Sequence, residues 1–285
     1  MSNLEISRAQ RLDQKVVELV PELSRGYAVR LIEEGKVSVN GTPQLKAGYK
    51  LRAGDEVAVD YDVAQLQQIP DIELPILYED DDCVVINKPL GVLSHSKGAF
   101  NPEATVATWL RSRLNGLSGE RGGIVHRLDR ATSGVMICAK TPEALSWLQK
   151  QFATRNVHKT YVAVVGGHIE PAEAIIDMPI ERNPKAPATF RVGAQGKPAK
   201  TAYKVIATNG QYSLVELRPE TGRTHQLRVH LSYLHHPIVG DTLYGGELAK
   251  RLYLHARELE ITLLKGHERK VFSVAIPPEF TELVG

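Results

Sequence analysis

Chemistry in this 285-residue chain is most densely offered by HRLDRATSG, His126–Gly134, where one carboxylate, Asp129, stands between Arg127 and Arg130. An acid among arginines is commonly an ion pair that staples a surface turn, but the same arrangement suits a catalytic acid held ionised beside a polyanion. The strand-like runs GGIV and GVMICAK flank the segment, so Asp129 is expected on a loop projecting from a sheet, where functional groups tend to sit. A second concentration is RPETGRTHQLRVHLSYLHHPIVGDTLYG, Arg218–Gly245, with Arg223, Arg228, His225 and His230 where a turn enters a helix. Cations beside exposed helix amides make a seat for phosphate. His225, His230, His235 and His236 invite a zinc site, but spacings of five residues do not bring two rings onto one helical face as spacings of four do. No metal is expected there.

Three further segments have plain structural readings. HKTY, His158–Tyr161, heads an apolar strand; NKPLGVLSHSKG, Asn87–Gly98, is a strand and a Pro-Gly turn; GKPAKTAYK, Gly196–Lys204, carries three lysines and no acid, a solvated face or a backbone contact for RNA. The chain has no Gly-x-Ser-x-Gly elbow around Ser133, no Walker loop, no dinucleotide fingerprint and no His-Glu-x-x-His. What remains is a carboxylate with basic neighbours, which fits chemistry at a sugar carbon better than redox, metal or ATP-driven work.

These groups must be positioned by ordinary globular material, 42% apolar and 24% charged, long enough for one large domain and a small one. A net charge of +2 is too small to mark a nucleic-acid binder by itself, so such a role must rest on how charge is distributed. Cys83 and Cys138 lie in apolar runs and read as buried, reduced thiols. Neither a membrane-length apolar run nor a signal-peptide pattern is present, so a cytoplasmic protein without membrane contact is expected.

Residues 11–60 read as a helix–helix–strand unit: LDQKVVELV stops at Pro21, Ser24 caps a second helix ending near Gly35, and KVSVNG gives a strand with an Asn40-Gly41 turn. Residues 63–74, ending among prolines, read as a linker. Beyond them, CVVIN, YVAVVGG, YSLVELR and KVFSVAI suggest an α+β domain over 75–285 around a mixed, largely antiparallel sheet. One helix is well marked there, with Thr141 as cap, Pro142 in the first turn, and Leu145, Leu148 and Phe152 on one face.

With its flanks, GGIVHRLDRATSGVMICAK resembles the defining motif of the RluA family of pseudouridine synthases, H-R-L-D-x-x-T-S-G. NKPLGVLSH resembles the family's entrance strand and turn, HKTYVAVVGG its K-x-Y motif, TGRTHQLRVHL its arginine motif, and HPIVGDTLYG with LHA its C-terminal signatures, all in the family's order. Residues 1–62, through LSRGYAVRLIEEGKVSVNG and LRAGDEVAV, separately resemble a small αL RNA-binding module. That module holds 9 basic against 10 acidic residues, so its RNA footprint must be one polarised face, with Arg25, Arg30 and Lys36 as candidates.

The resemblance implies an RNA isomerase that needs no cofactor, with Asp129, Tyr161 and Arg223 as the catalytic residues and Arg127 filling the space left by a flipped nucleotide. Asp129 would either attack ribose carbon 1′ or remove a ribose proton, and a salt bridge from Arg223 would keep it ionised and aimed. Tyr161 would pack on the uracil and could remove the proton from carbon 5. Ser24, Lys88, His126, Lys159 and His225 join the RNA-contact candidates. The implied partner is structured RNA, large-subunit ribosomal RNA or its assembly intermediate, met by a monomer. A transfer RNA is the alternative substrate, and a non-catalytic RNA-binding or ribosome-assembly protein is the rival from another class.

Overall fold

The computed structural model describes residues 10–21, 23, 25–60, 69–96, 103–119 and 121–285. The chain divides into two compact units: Met1–Glu73 with His95–Arg111 and Gly119–Arg121, and Leu74–Ser94 with Ser112–Ser118 and Gly122–Gly285. The sequence reading runs the second domain unbroken from residue 75; the chain instead returns to the first unit over 95–111. No composition shift marks that return.

In the first unit, α1 (Leu12–Leu19) and α2 (Arg25–Glu33) precede β1 (Val37–Val39), β2 (Thr42–Pro43) and β3 (Val57–Val59), with a short α3 (Val106–Leu110) from the returning segment. The helical spacing of apolar residues in α1 and α2 becomes a core of Leu12, Val16, Ala28, Leu31 and Ile32 against Val37, Val39 and Leu51. Asn40 and Gly41 have φ of 52° and 76°, the two left-handed residues that join β1 to β2 with Val39 opposite Thr42. The cap expected at Ser24 lies outside the described residues.

The second unit carries β4 (Ile76–Glu79), β5 (Cys83–Lys88), β6 (Ser133–Ala139), α4 (Pro142–Ala153), β7 (His158–Gly166), β8 (Glu173–Asp177), β9 (Ile180–Arg182), β10 (Phe190–Val192), β11 (Lys200–Thr208), β12 (Tyr212–Pro219), α5 (Gln226–Tyr233), β13 (Leu254–Thr262), β14 (Arg269–Ser273) and α6 (Pro278–Glu282). Among the described residues, nine strands form one sheet in the order β4-β5-β6-β13-β7-β12-β11-β8, with β14 also on β13. The β6–β13 pair is parallel and the other pairs are antiparallel, a mixed, largely antiparallel sheet. The expected strand GGIV is a turn with a single bridge, Ile124 to Cys138. Thr141 caps α4 as expected, its hydroxyl accepting from Ala144 N–H at 3.2 Å.

One row of strand partners crosses five strands. Lys88 on β5 stands opposite Gly134 on β6, Gly134 opposite Ala256 on β13, Ala256 opposite Tyr161 on β7, and Tyr161 opposite Leu217 on β12. Segments far apart in sequence are thereby brought to one level of the sheet. β6 is buried along its whole length, as a central strand packed on both faces must be.

Next to that row, His255 on β13 is 3% exposed, with Nδ1 2.8 Å from Ser133 Oγ. Arg251 Nη2 donates to the same hydroxyl at 2.6 Å, while its Nη1 lies 2.8 Å from Glu279 on α6. Burial first, and then Arg251, push the His255 pKa down to about 4. The unfolded chain therefore takes up a proton below the ordinary value of about 6.5 that the folded ring refuses until about pH 4. Stability present above the unfolded value is lost as pH falls through that window, by about 3 kcal/mol at this order of magnitude. Calorimetry at pH 7 and pH 4 should show the melting temperature of His255→Gln falling roughly 8 °C less than that of the wild type.

Candidate active site

Asp129 sits on a loop pinned on both sides. The Ser94 hydroxyl donates to Leu128 O at 2.7 Å and accepts from Leu128 N–H at 3.0 Å. Gly91 N–H donates to Arg130 O at 2.9 Å, and Thr132 N–H closes onto Asp129 O at 3.0 Å. NKPLGVLSH is therefore more than a turn: it clamps the loop that carries the carboxylate. Ser94 carries no local signal of that role, because its partner is 34 residues away.

Lys88 lies beneath this clamp and is fully buried, with Nζ donating to Pro89 O at 2.9 Å and Val92 O at 2.8 Å. Burial pushes its pKa down to about 8, and the Asp129 charge works against that shift. The expected RNA contact at Lys88 is corrected: a side chain with no exposed surface ties the turn's carbonyls from within. His126 is corrected likewise. Its Nε2 accepts from Ile137 N–H at 3.1 Å, its ring stacks on Phe152, and burial pushes its pKa down to about 3, so it is a neutral structural ring.

The Asp129 carboxylate is a quarter exposed and lies 3.6 Å from Arg127 Nη2 and 3.7 Å from His225 Nε2. The expected salt bridge from Arg223 is not made. Arg223 Nε donates instead to Pro198 O at 3.0 Å, a carbonyl on the neighbouring loop. The nearby arginine, not the distant one, flanks the acid in this state.

His225 begins α5 with φ 57° and caps nothing with its side chain. Phe190 N–H donates to Tyr244 Oη at 3.0 Å, which leaves the phenol hydrogen for His225 Nδ1 at 2.7 Å. By that assignment the neutral imidazole carries its hydrogen on Nε2, toward Asp129. Burial lowers the His225 pKa, with Asp129 opposing, so the neutral form is favoured. Tyr244 is held in turn by Arg228, whose guanidinium lies 4.9 Å from its ring centroid and forms two 2.7 Å bonds to the buried Asp241 carboxylate. Gln226, also missed in the sequence, organises the turn: its Oε1 accepts from Thr221 Oγ1 and Arg223 N–H, and its Nε2 donates to Lys200 O and Thr201 Oγ1.

These groups line a cleft of ≈150 Å³ in which Asp129 is the acid among the described lining residues, with Arg127, Lys159, Arg223, His225 and Arg228 around it. Lys159 and Tyr161 alternate on β7 and so share a face. Burial pushes the Lys159 pKa down to about 8, and its Nζ reaches Thr221 O at 3.4 Å. Burial, and then the Asp129 charge, push the Tyr161 phenol well above its ordinary range. Tyr161 is thus a neutral phenol at neutral pH, suited to pack and donate, and not the standing phenolate that its expected role as base would need. Among the described residues no cluster of histidine, cysteine and carboxylate groups could hold a metal ion. His230 is used by Thr201 Oγ1 and Met178 O, and His236 by Gly166 O.

One carboxylate among cations, beside a tyrosine ring on a rigid sheet, is equipped to hold a phosphorylated nucleoside and act at its sugar. The pattern of RNA pseudouridylate synthases matches residues 82–233, more than half of the chain, and that of the S4 domain matches 10–57. The chain belongs to the RNA pseudouridylate synthase family. It is 38% identical over 264 residues to the ribosomal large subunit pseudouridine synthase D of Vibrio parahaemolyticus, spanning 92% of this chain and 80% of that one. With the Escherichia coli K12 protein of the same name it shares 39% over 240 residues, 83% of this chain and 73% of that one. Human RNA pseudouridylate synthase domain containing 1 has the same fold, with a TM-score of 0.61 at 32% identity over 73% of this chain and 86% of that structure. As an RNA pseudouridine synthase, the enzyme is an isomerase.

In this synthase the expected RNA-facing cations of the S4 unit are exposed but engaged. Arg25 lies 2.9 Å from Asp13, Arg30 2.8 Å from Glu34, and Lys36 3.4 Å from Asp60. Lys46 and Lys50 are exposed and make no ion pair among the described residues. Among the described residues no helix is long and apolar enough to cross a membrane.

Proposed function

We propose that the enzyme converts uridines of large-subunit ribosomal RNA, in the ribosome's RNA or an assembly intermediate, to pseudouridine, with Asp129 as the catalytic carboxylate. One observation carries the ribosomal reading: the similarity to large-subunit synthase D covers 92% of the chain, so it cannot leave out the S4 domain. An S4 unit gives a second hold on structured RNA, apart from the cleft.

The reaction breaks the bond from carbon 1′ to uracil N1, turns the base, and joins carbon 1′ to carbon 5; a proton leaves carbon 5 and N1 gains one. A uridine inside folded RNA must be flipped out first, at a cost of a few kcal/mol that phosphate contacts offset. Arg127, Lys159, Arg223 and Arg228 are the cleft cations available for those contacts. Asp129, the acid of the lining, acts on the ribose, at carbon 1′ or on a ribose proton. The Tyr161 ring packs on the uracil, and its phenol, kept protonated by burial, donates to it. Arg223 is free to exchange the Pro198 carbonyl for RNA or for the carboxylate when the cleft fills.

Mapping pseudouridines by carbodiimide-dependent primer-extension stops in all cellular RNA, with and without the gene, tests the proposal. Loss of stops in large-subunit ribosomal RNA is the expected result. Loss confined to transfer RNA would overturn the ribosomal reading.

A further inference from the structure

Beside the cleft, and sharing Arg127, Lys159 and Arg223 with it, lies a second cavity of ≈420 Å³ whose walls include His126, Phe152 and Arg155. A cavity of this size can take a small ring system. Its wall is aromatic: the His126 and Phe152 rings stack with 4.7 Å between centroids and 20° between planes. His126 spends Nε2 on the Ile137 amide and a ring face on Phe152, so it backs the ring and leaves Phe152 as the π surface that the cavity offers. The acid on this wall, Glu220, lies 3.0 Å from Lys200 Nζ, which counters its charge.

Arg155 supplies an independent observation. It follows the end of α4 with φ 61°, the left-handed position that glycine usually fills, while Asn156 N–H closes onto Gln151 O at 2.9 Å. An L side chain is disfavoured there, so a turn built for stability alone would carry glycine. Arg155 is nonetheless present, exposed at the cavity and without an ion pair among the described residues.

The nucleotide next to a flipped uridine lies beside the cleft, and the second cavity adjoins the cleft through the shared Arg127, Lys159 and Arg223. We infer that the second cavity seats the nucleotide adjoining the target uridine, its base stacked on Phe152 and its phosphate met by Arg155. Stacking on an aromatic side chain is tolerant of base identity, so this seat supplies affinity and strand direction more than sequence choice.

The inference rests on the proposed isomerase reading of the cleft, but not on which RNA is the substrate. The test uses a transcript spanning a uridine whose modification the mapping experiment ties to this gene, either intact or with an abasic nucleotide immediately 5′ or 3′ of the target. Phe152→Leu keeps the apolar volume and removes the ring; Arg155→Asn removes the charge and tolerates the left-handed backbone. On intact RNA each variant should raise KM roughly ten-fold with little change in kcat. An abasic nucleotide at one of the two neighbours should raise wild-type KM by a similar factor and abolish the further effect of Phe152→Leu. Unchanged KM in both variants would overturn the seat, and so would factors for Phe152→Leu and the abasic nucleotide that simply multiply at both neighbours. A substrate found in transfer RNA would sink the ribosomal reading and leave this test in force.

Discussion

Asp129→Asn should stop isomerisation and leave RNA binding intact. The amide has almost the shape of the carboxylate, so the loop held by Ser94, Gly91 and the Thr132 amide has no reason to move. What disappears is the charge, and no other acid lines the cleft among the described residues to replace it. Both routes at the ribose need an ionised carboxylate, so the loss should be on the order of 10³-fold or more. Release of tritium from RNA labelled at uracil carbon 5, in a single-turnover format, reads the chemical step directly. Binding by filter retention should be unchanged or slightly tighter, because the cleft cations remain while one negative charge near the phosphates is gone. Turnover at the wild-type level would remove Asp129 from the chemistry and return it to the surface ion pair with Arg127.

Gly134→Ala should damage both stability and activity. Gly134, which ends HRLDRATSG and opens GVMICAK, is a strand residue of β6, with φ 119°. A Cβ there would fall inside the contact shell of the Ala256 carbonyl oxygen, on the parallel β6–β13 pairing. Backbone on both sides of the contact belongs to central strands, so neither side can yield cheaply. The left-handed penalty and the overlap together should cost about 3 kcal/mol or more. A fall in melting temperature of roughly 10 °C is the expected calorimetric result. Because the same row holds Lys88 and Tyr161, the folded remainder should also lose activity out of proportion to its stability. A variant that melts with the wild type and turns over normally would show that the row tolerates spreading.

Several elements were legible because their causes are local. The helical spacing in LDQKVVELV, the Asn40-Gly41 turn and the Thr141 cap each depend on residues within a few positions, and each stands where the sequence put it. GGIV failed for the converse reason: its apolar composition suits a strand, but only Ile124 finds a partner. RELEI, within β13, was not singled out beyond the LHA that precedes it, although β13 pairs with β6, β7 and β14. Its alternating charges hide a strand whose importance lies in what it joins.

The site divides the same way. Residue types by themselves established what could be done: one carboxylate in HRLD, a tyrosine in HKTY and an arginine in TGRTH, in segments that resemble one family's motifs. They could not establish who meets whom. Strand register placed Lys88, Gly134, Ala256 and Tyr161 in one row, and packing buried Lys88 where a cation facing RNA was expected. Arg223, assigned to Asp129 by resemblance, found the Pro198 carbonyl, while Arg127 and a His225 held by Tyr244 took the flanks of the acid. Chemical identity travels with a residue and is readable in any order of the chain. Partners, burial and the pKa shifts that follow arise from pairings over tens to more than a hundred residues, and only the folded sheet decides those.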